Sequence, residues 1–198
     1  MMIARLSDEP LTDLMVDIET TGTNPYHTGM IQLAALPFNL KTGAVGQPFN
    51  RCLELPANRF WDEGTRRWWG QQKPEILRGI LAAAEEPSLV IREFWEFVCR
   101  HGQLRFWSRG TFDFWFIQSY MDQYGMPMPF RFNEARDLRS YQAGLFRQDG
   151  KEPDLSWVTP PAGDKHNALF DCVYQLKQLF SAQNGIFHEI LPPEDQAA

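Results

Sequence analysis

Residues 14–19, Leu-Met-Val-Asp-Ile-Glu, form an apolar run carrying two carboxylates spaced i and i+2. Such a run reads as a short buried strand, and in a strand residues i and i+2 leave the same face. Asp17 and Glu19 therefore project together from an apolar element. Burying two like charges is costly unless a cation offsets them, and hard divalent ions bind carboxylate oxygens. The alternative is a half-exposed strand with its acids on the wet face. Thr20-Thr21-Gly22 ends the run with a residue that lets the backbone turn sharply beside the acids and approach a ligand.

Two further acids stand out in the same way. Asp113 lies inside Phe-Asp-Phe-Trp-Phe-Ile, residues 112–117, just after a strand expected at 104–108. That places it at a strand's carboxyl end, where α/β sites form, although an acid in a helix's first turn is also favoured for its own sake. Asp171 sits at the margin of the apolar stripe of the clearest helix, 165–183, whose Leu169, Cys172, Val173, Leu176, Leu179 and Phe180 share one face. His166 precedes Asp171 by five residues behind a polar loop at 147–164. A lone histidine there is an ordinary cap or surface residue. A histidine paired with an inward acid is a candidate general base.

The rest of the chain supplies a frame for these residues. Strands are expected at 14–19, 29–38 and 47–55 as a meander, with another at 104–108 and a fifth at 130–133. Helices are expected at 65–72, 74–84, 89–100 with Ser88 as N-cap, 111–124 and 136–146. Strands first and strand–helix pairs afterwards predict a mixed α/β sandwich. The 198 residues, 43% of them hydrophobic, fit one compact domain over 1–185 followed by a tail at 186–198.

Composition bounds the partners. A net charge of −6 argues against a broad basic coat for nucleic acid, but acids gathered at a metal site count toward that total. Cys52, Cys99 and Cys172 are odd in number and widely spaced, so neither a disulfide framework nor a zinc site is expected. Free thiols fit a reducing cytoplasm. The first 14 residues lack the apolar stretch of a signal peptide, and no run reaches the ~20 apolar residues of a membrane helix.

Taken together, Asp17-x-Glu19, Asp113 after a strand and turn, and His166-x4-Asp171 resemble the three exonuclease motifs of the DEDDh (DnaQ-like) superfamily, which includes proofreading subunits and ribonuclease T. The resemblance spans roughly residues 14–180. A narrower likeness to small bacterial and phage exonucleases rests on Thr65-x-x-Trp68-Trp69, on Trp107 to Gly110, and on Arg136-Asp-Leu-Arg-Ser140. The turn before Asp113 departs from the superfamily, which often has asparagine where this chain has Ser108-Arg109-Gly110.

The resemblance implies a ribonuclease H-like fold with a mixed central sheet of about five strands flanked by helices. It implies a 3′–5′ exonuclease that removes nucleoside 5′-monophosphates from single-stranded or 3′-overhang nucleic acid, RNA or DNA. Two Mg²⁺ or Mn²⁺ ions would be held by Asp17, Glu19, Asp113 and Asp171, with His166 as the base. Neutral histidine works best, so activity is expected to rise from pH ~6 to ~8. Substrate contacts are expected from Thr20, Thr21, Gly22, Trp69, Arg109 and Phe112, with Trp68, Arg66 and Arg67 also in view. Dimers among the relatives make a homodimer part of the same picture. The competing readings are a non-catalytic nucleic-acid- or protein-binding module on this fold, which would normally have lost one of the five residues, and a two-metal endonuclease or hydrolase of a small nucleotide.

Overall fold

The computed structural model describes residues 10–146 and 153–183. The start of the chain, residues 147–152 of the expected loop, and the tail lie outside the described residues. The chain forms β1 (Asp13–Thr20), β2 (Met30–Phe38), β3 (Phe49–Leu53), α1 (Glu63–Trp69), α2 (Pro74–Ala82), β4 (Ala84–Glu85), α3 (Pro87–Arg100), β5 (Arg105–Ser108), α4 (Phe112–Gln123), β6 (Arg136–Asp137), α5 (Leu138–Leu145) and α6 (Ala168–Gln183). The strands make one six-stranded sheet in the order β4-β3-β2-β1-β5-β6. β1 pairs antiparallel with β2 and parallel with β5.

The central strands are covered on both faces. Leu14, Val16 and Ile18 of β1 join a core with Val90 and Phe94 of α3 and Phe116, Ile117 and Tyr120 of α4. Met15 points the other way, into a second core with Cys172, Leu176 and Leu179 of α6. Asp17 and Glu19 continue the period of Met15, so they emerge beneath α6 rather than into water. Each fully buried Leu or Phe in these layers contributes about 1.5–3 kcal/mol.

β2 is buried along all nine residues, and Gln32 is its one polar side chain. Its amide is used at both ends. Oε1 accepts from the Ala168 amide at 3.1 Å and Nε2 donates to Asn50 at 3.0 Å, which moors the start of α6 to the sheet.

One ionic anchor fixes the start of β1 against β5. Asp13 is wholly buried and accepts from two of the three nitrogens of the Arg105 guanidinium, Nε at 2.7 Å and Nη2 at 2.6 Å, and from the Trp107 indole at 2.7 Å. A buried charge is tolerable only when paired this completely.

Several expected elements are corrected. The strand expected at 130–133 does not form. Phe130 instead plugs the first core, and Arg136–Asp137 pair with Trp107 and Ser108 as β6, so the helix expected from 136 begins at Leu138. Helix α3 starts at Pro87, and its cap is the Glu86 carboxylate accepting from the Leu89 amide, not Ser88. Helix α6 begins at Ala168, because residues 165–166 make a turn. The sixth strand, β4, has only two residues, too few to leave a periodic signal. Among the described residues no helix is long and apolar enough to cross a membrane.

Candidate active site

Three remote segments meet over the carboxyl end of β1. Glu19 is buried and Asp17 half-buried on the strand face below α6. α6 reaches down with Asp171 in its first turn and Gln175 one turn later, and Gln175 Nε2 donates to Asp17 Oδ1 at 2.6 Å. Asp113 arrives in the first turn of α4, where a helix N-terminus favours negative charge.

The hold on Asp113 follows from where the sheet stops. β1 pairs with β5 only from Asp13 to Met15, so the β5 side of β1 is open beyond that point. The Ile18 amide, left without a strand partner there, donates to Asp113 Oδ1 at 3.1 Å. Ser108, at the end of β5, donates its hydroxyl to the Gly110 carbonyl at 2.7 Å and lies close enough to the same carboxylate to favour its ionised form.

His166 is the only non-glycine residue with positive φ among the described residues, at 67°. That conformation is uncommon for a residue with a β-carbon and stores strain. It turns the His166 amide back onto Asp171 Oδ2 at 2.9 Å. Ligand atoms of Glu19, His166 and Asp171 lie within 4.8 Å of one another.

Electrostatically the site is under tension. Burial first, then Asp171 and Asp113, push Glu19 up to about 8. Burial raises Asp113 to about 7 against the pull of its hydrogen bonds. Asp17 is raised well above the carboxylate range by burial and then by Asp113, Glu19 and Asp171, with only the Gln175 bond opposing. Asp171 is raised by burial. His166 is lowered by burial and by Lys165, which favours the neutral ring. Four crowded carboxylates that resist ionising together are a donor set that hard divalent cations fit, because the cations remove the repulsion.

A cleft of about 450 Å³ opens beside the acids, lined by Glu19, Thr20, Gly22, Asp62, Trp68 and Phe112 among others. Trp68 and Phe112 are each 38% exposed and offer aromatic surface to it. Trp68 also meets the His166 ring edge to face, with centroids 4.8 Å apart. Arg109 is exposed on the turn between β5 and α4, and its charge favours ionised Asp171.

The expected substrate contacts divide accordingly. Trp69 is 3% exposed, packs with Ile31 and Ile80, and donates its indole N–H to the Thr20 carbonyl at 3.0 Å. It braces the turn after β1 and has no face for a base. Thr21 is wholly buried, and its hydroxyl donates to the Phe60 carbonyl and accepts from the Gly29 amide. Thr20 bonds the Gly22 carbonyl at 2.8 Å, which tightens the turn. A Cβ on Gly22 would lie 2.4 Å from Thr28 Cγ2 and 2.9 Å from Asp62 Cβ, so glycine is needed there for close packing. Asp137 caps α5 and also accepts from the Gly110 amide at 2.8 Å, steadying the turn ahead of Asp113.

Sequence reasoning missed Gln175 and Asp62. Gln175 had a signal, a buried amide on an apolar helix face four residues after an inward acid. Asp62 had none beyond its place before a short helix.

No curated protein matches the chain. Solved structures do match its fold. Cell-death related nuclease 4 is 21% identical over 88% of this chain and 64% of its own, with a TM-score of 0.66. E. coli exonuclease I in complex with an oligonucleotide is 16% identical over 86% of this chain and 40% of its own, with a TM-score of 0.62. The nuclease domain of 3′hExo, a DEDDh family member bound to rAMP, is 14% identical over 90% of this chain and 96% of its own, with a TM-score of 0.56. The chain thus spans less than two thirds of the first two of these proteins. The sheet and its helices are ribonuclease H-like, as in these exonucleases. The family model for the Rv2179c-like 3′–5′ exoribonuclease domain matches residues 12–182, and the chain belongs to that family.

Proposed function

We propose that this chain is a metal-dependent 3′–5′ exonuclease that shortens RNA from its 3′ end and releases nucleoside 5′-monophosphates. The observation that carries the reading is the convergence of Asp17, Glu19, Asp113, Asp171 and His166, from three distant segments, on one end of β1. The preference for RNA rests on the family to which the chain belongs.

Asp17, Glu19, Asp113 and Asp171 are the residues to hold two Mg²⁺ or Mn²⁺ ions. When bound, such a pair neutralises the carboxylates and stabilises the attacking and leaving oxygens of a phosphoryl displacement. His166 accepts the proton of the attacking water. Burial lowers its pKa and so favours the neutral ring, and its amide bond to Asp171 together with the edge-to-face contact with Trp68 sets its orientation. Trp68 and Phe112 supply stacking surface for the terminal base, a sequence-tolerant device suited to any single strand. Arg109, exposed and near enough to favour ionised Asp171, offers a guanidinium suited to a phosphate.

The test is digestion of a 5′-labelled single-stranded RNA with Mn²⁺, with chelator present or absent. Metal-dependent laddering from the 3′ end and mononucleotide product are expected. Cleavage of a closed circular strand would replace this reading with an endonuclease.

A further inference from the structure

We infer that Gln175 is a positioning residue that holds the Asp17 carboxylate ready for a divalent cation. This rests on the reading of Asp17 as a cation ligand and goes beyond it, because Gln175 belongs to none of the three motifs.

Gln175 is 4% exposed, between Cys172 and Leu176 on the face of α6 that covers the sheet. A buried amide on such a face requires a partner. It has one: Nε2 donates to Asp17 Oδ1 at 2.6 Å. Its other end has none, since Oε1 is buried without a hydrogen bond. An unsatisfied buried acceptor is a standing cost. An apolar side chain of the same length would remove that cost, so the bond to Asp17 is what recommends glutamine here.

Helical spacing explains why this position serves. Gln175 follows Asp171 by four residues, so both side chains leave one face of α6. The Cys172 thiol, contacting the Met15 and Ala34 carbonyls, seats that face against β1 and β2. One helix thereby delivers a carboxylate and simultaneously restrains the carboxylate of the strand beneath it.

The chemistry of an amide suits the task. A lysine or arginine would satisfy Asp17 with a full positive charge and compete with the cation. A hydroxyl could rotate away. An amide N–H restrains the carboxylate's rotation, carries no net charge and does not titrate. Asp17 is therefore oriented before any cation arrives, and less ordering is left to binding.

Calorimetric titration of the full chain with MnCl₂ tests this, comparing wild type with Gln175→Met and Gln175→Leu, which both lack the donor. Gln178→Met is the control, since Gln178 is also buried on α6. Outer partners of metal ligands typically govern roughly 10- to 100-fold in affinity. We expect Mn²⁺ to bind that much more weakly to both Gln175 variants and as in wild type to Gln178→Met. Metal-free melting curves verify that each variant is folded. Wild-type affinity in either folded Gln175 variant overturns the assignment and leaves the nuclease reading standing. Failure of the wild-type chain to bind Mn²⁺ overturns both.

Discussion

Trp68 and His166 pack edge to face, with centroids 4.8 Å apart and planes at 81°. One indole thus serves the cleft wall and the proposed base at once. Its neighbour Trp69 does neither and lies in the core. Stacking of a base on an aromatic side chain is worth about 1–3 kcal/mol, or roughly 5- to 150-fold. Trp68→Ala is expected to lower kcat/KM on single-stranded RNA by about that much, with both kcat and KM affected. Trp69→Phe is expected to change thermal stability more than KM, through loss of the Thr20 bond. Steady-state kinetics and melting curves on both variants check the division, and a raised KM in Trp69→Phe with an unaltered Tm would reverse it.

His166 carries two separable roles. As a base it contributes roughly 10²–10⁴-fold, so His166→Ala should lose kcat on that scale while still binding Mn²⁺. Its positive φ is a backbone property. Glycine adopts that conformation without strain, so His166→Gly should be as inactive as His166→Ala and more stable. Equal Tm values for the two variants would argue against strain at this residue.

Stability of the metal-free chain should fall as pH rises. Glu19 and Asp113 are raised to about 8 and about 7, and Asp17 and Asp171 are raised as well. Between the ordinary carboxylate range near pH ~4 and these folded values, the folded state holds more protons than the unfolded state. The contribution is fully present below the unfolded pKa values and is lost through about pH 7 for Asp113 and about pH 8 for Glu19. Melting in chelator should therefore show a lower Tm at pH 8.5 than at pH 5.5, at roughly constant ionic strength. Saturating Mn²⁺ should reduce that difference, and Asp113→Asn should stabilise the metal-free chain at the higher pH. A metal-free Tm that rises over this interval contradicts the sign.

Asp13→Asn separates structure from chemistry. Arg105 is 38% exposed, so the charge left behind is solvated and the loss is that of charge-assisted hydrogen bonds, about 1.5–3 kcal/mol. Chains of this size lose roughly 2–4 °C per kcal/mol, so a fall of about 5–10 °C is expected. The variant retains all five candidate active-site residues, and its Mn²⁺ affinity below the melting range should match wild type.

The sequence made the acids of β1 legible because a period of two is unambiguous once a strand is long enough. Asp13 was not legible, since an acid at a strand's start looks like a solvent-facing end until Arg105 and Trp107 are brought to it from across the sheet. Strands β4 and β6, two residues each, exist only through pairing and have no pattern of their own. The two tryptophans of α1 exposed a different limit. Adjacent helical residues point about 100° apart, and a seven-residue helix is too short to say which direction is inward. The Phe130 segment was β-prone, but its ring had a better use filling the core than extending a ladder.

Asp113 Oδ1 is gripped through the peptide of residue 18. Variation at that position can change the oily contact without loosening α4, so long as the amide hydrogen survives. Proline, which has none, would release the Asp113 carboxylate while the aromatic contacts of α4 still hold the helix on the sheet, leaving a full complement of acids with one of them out of place.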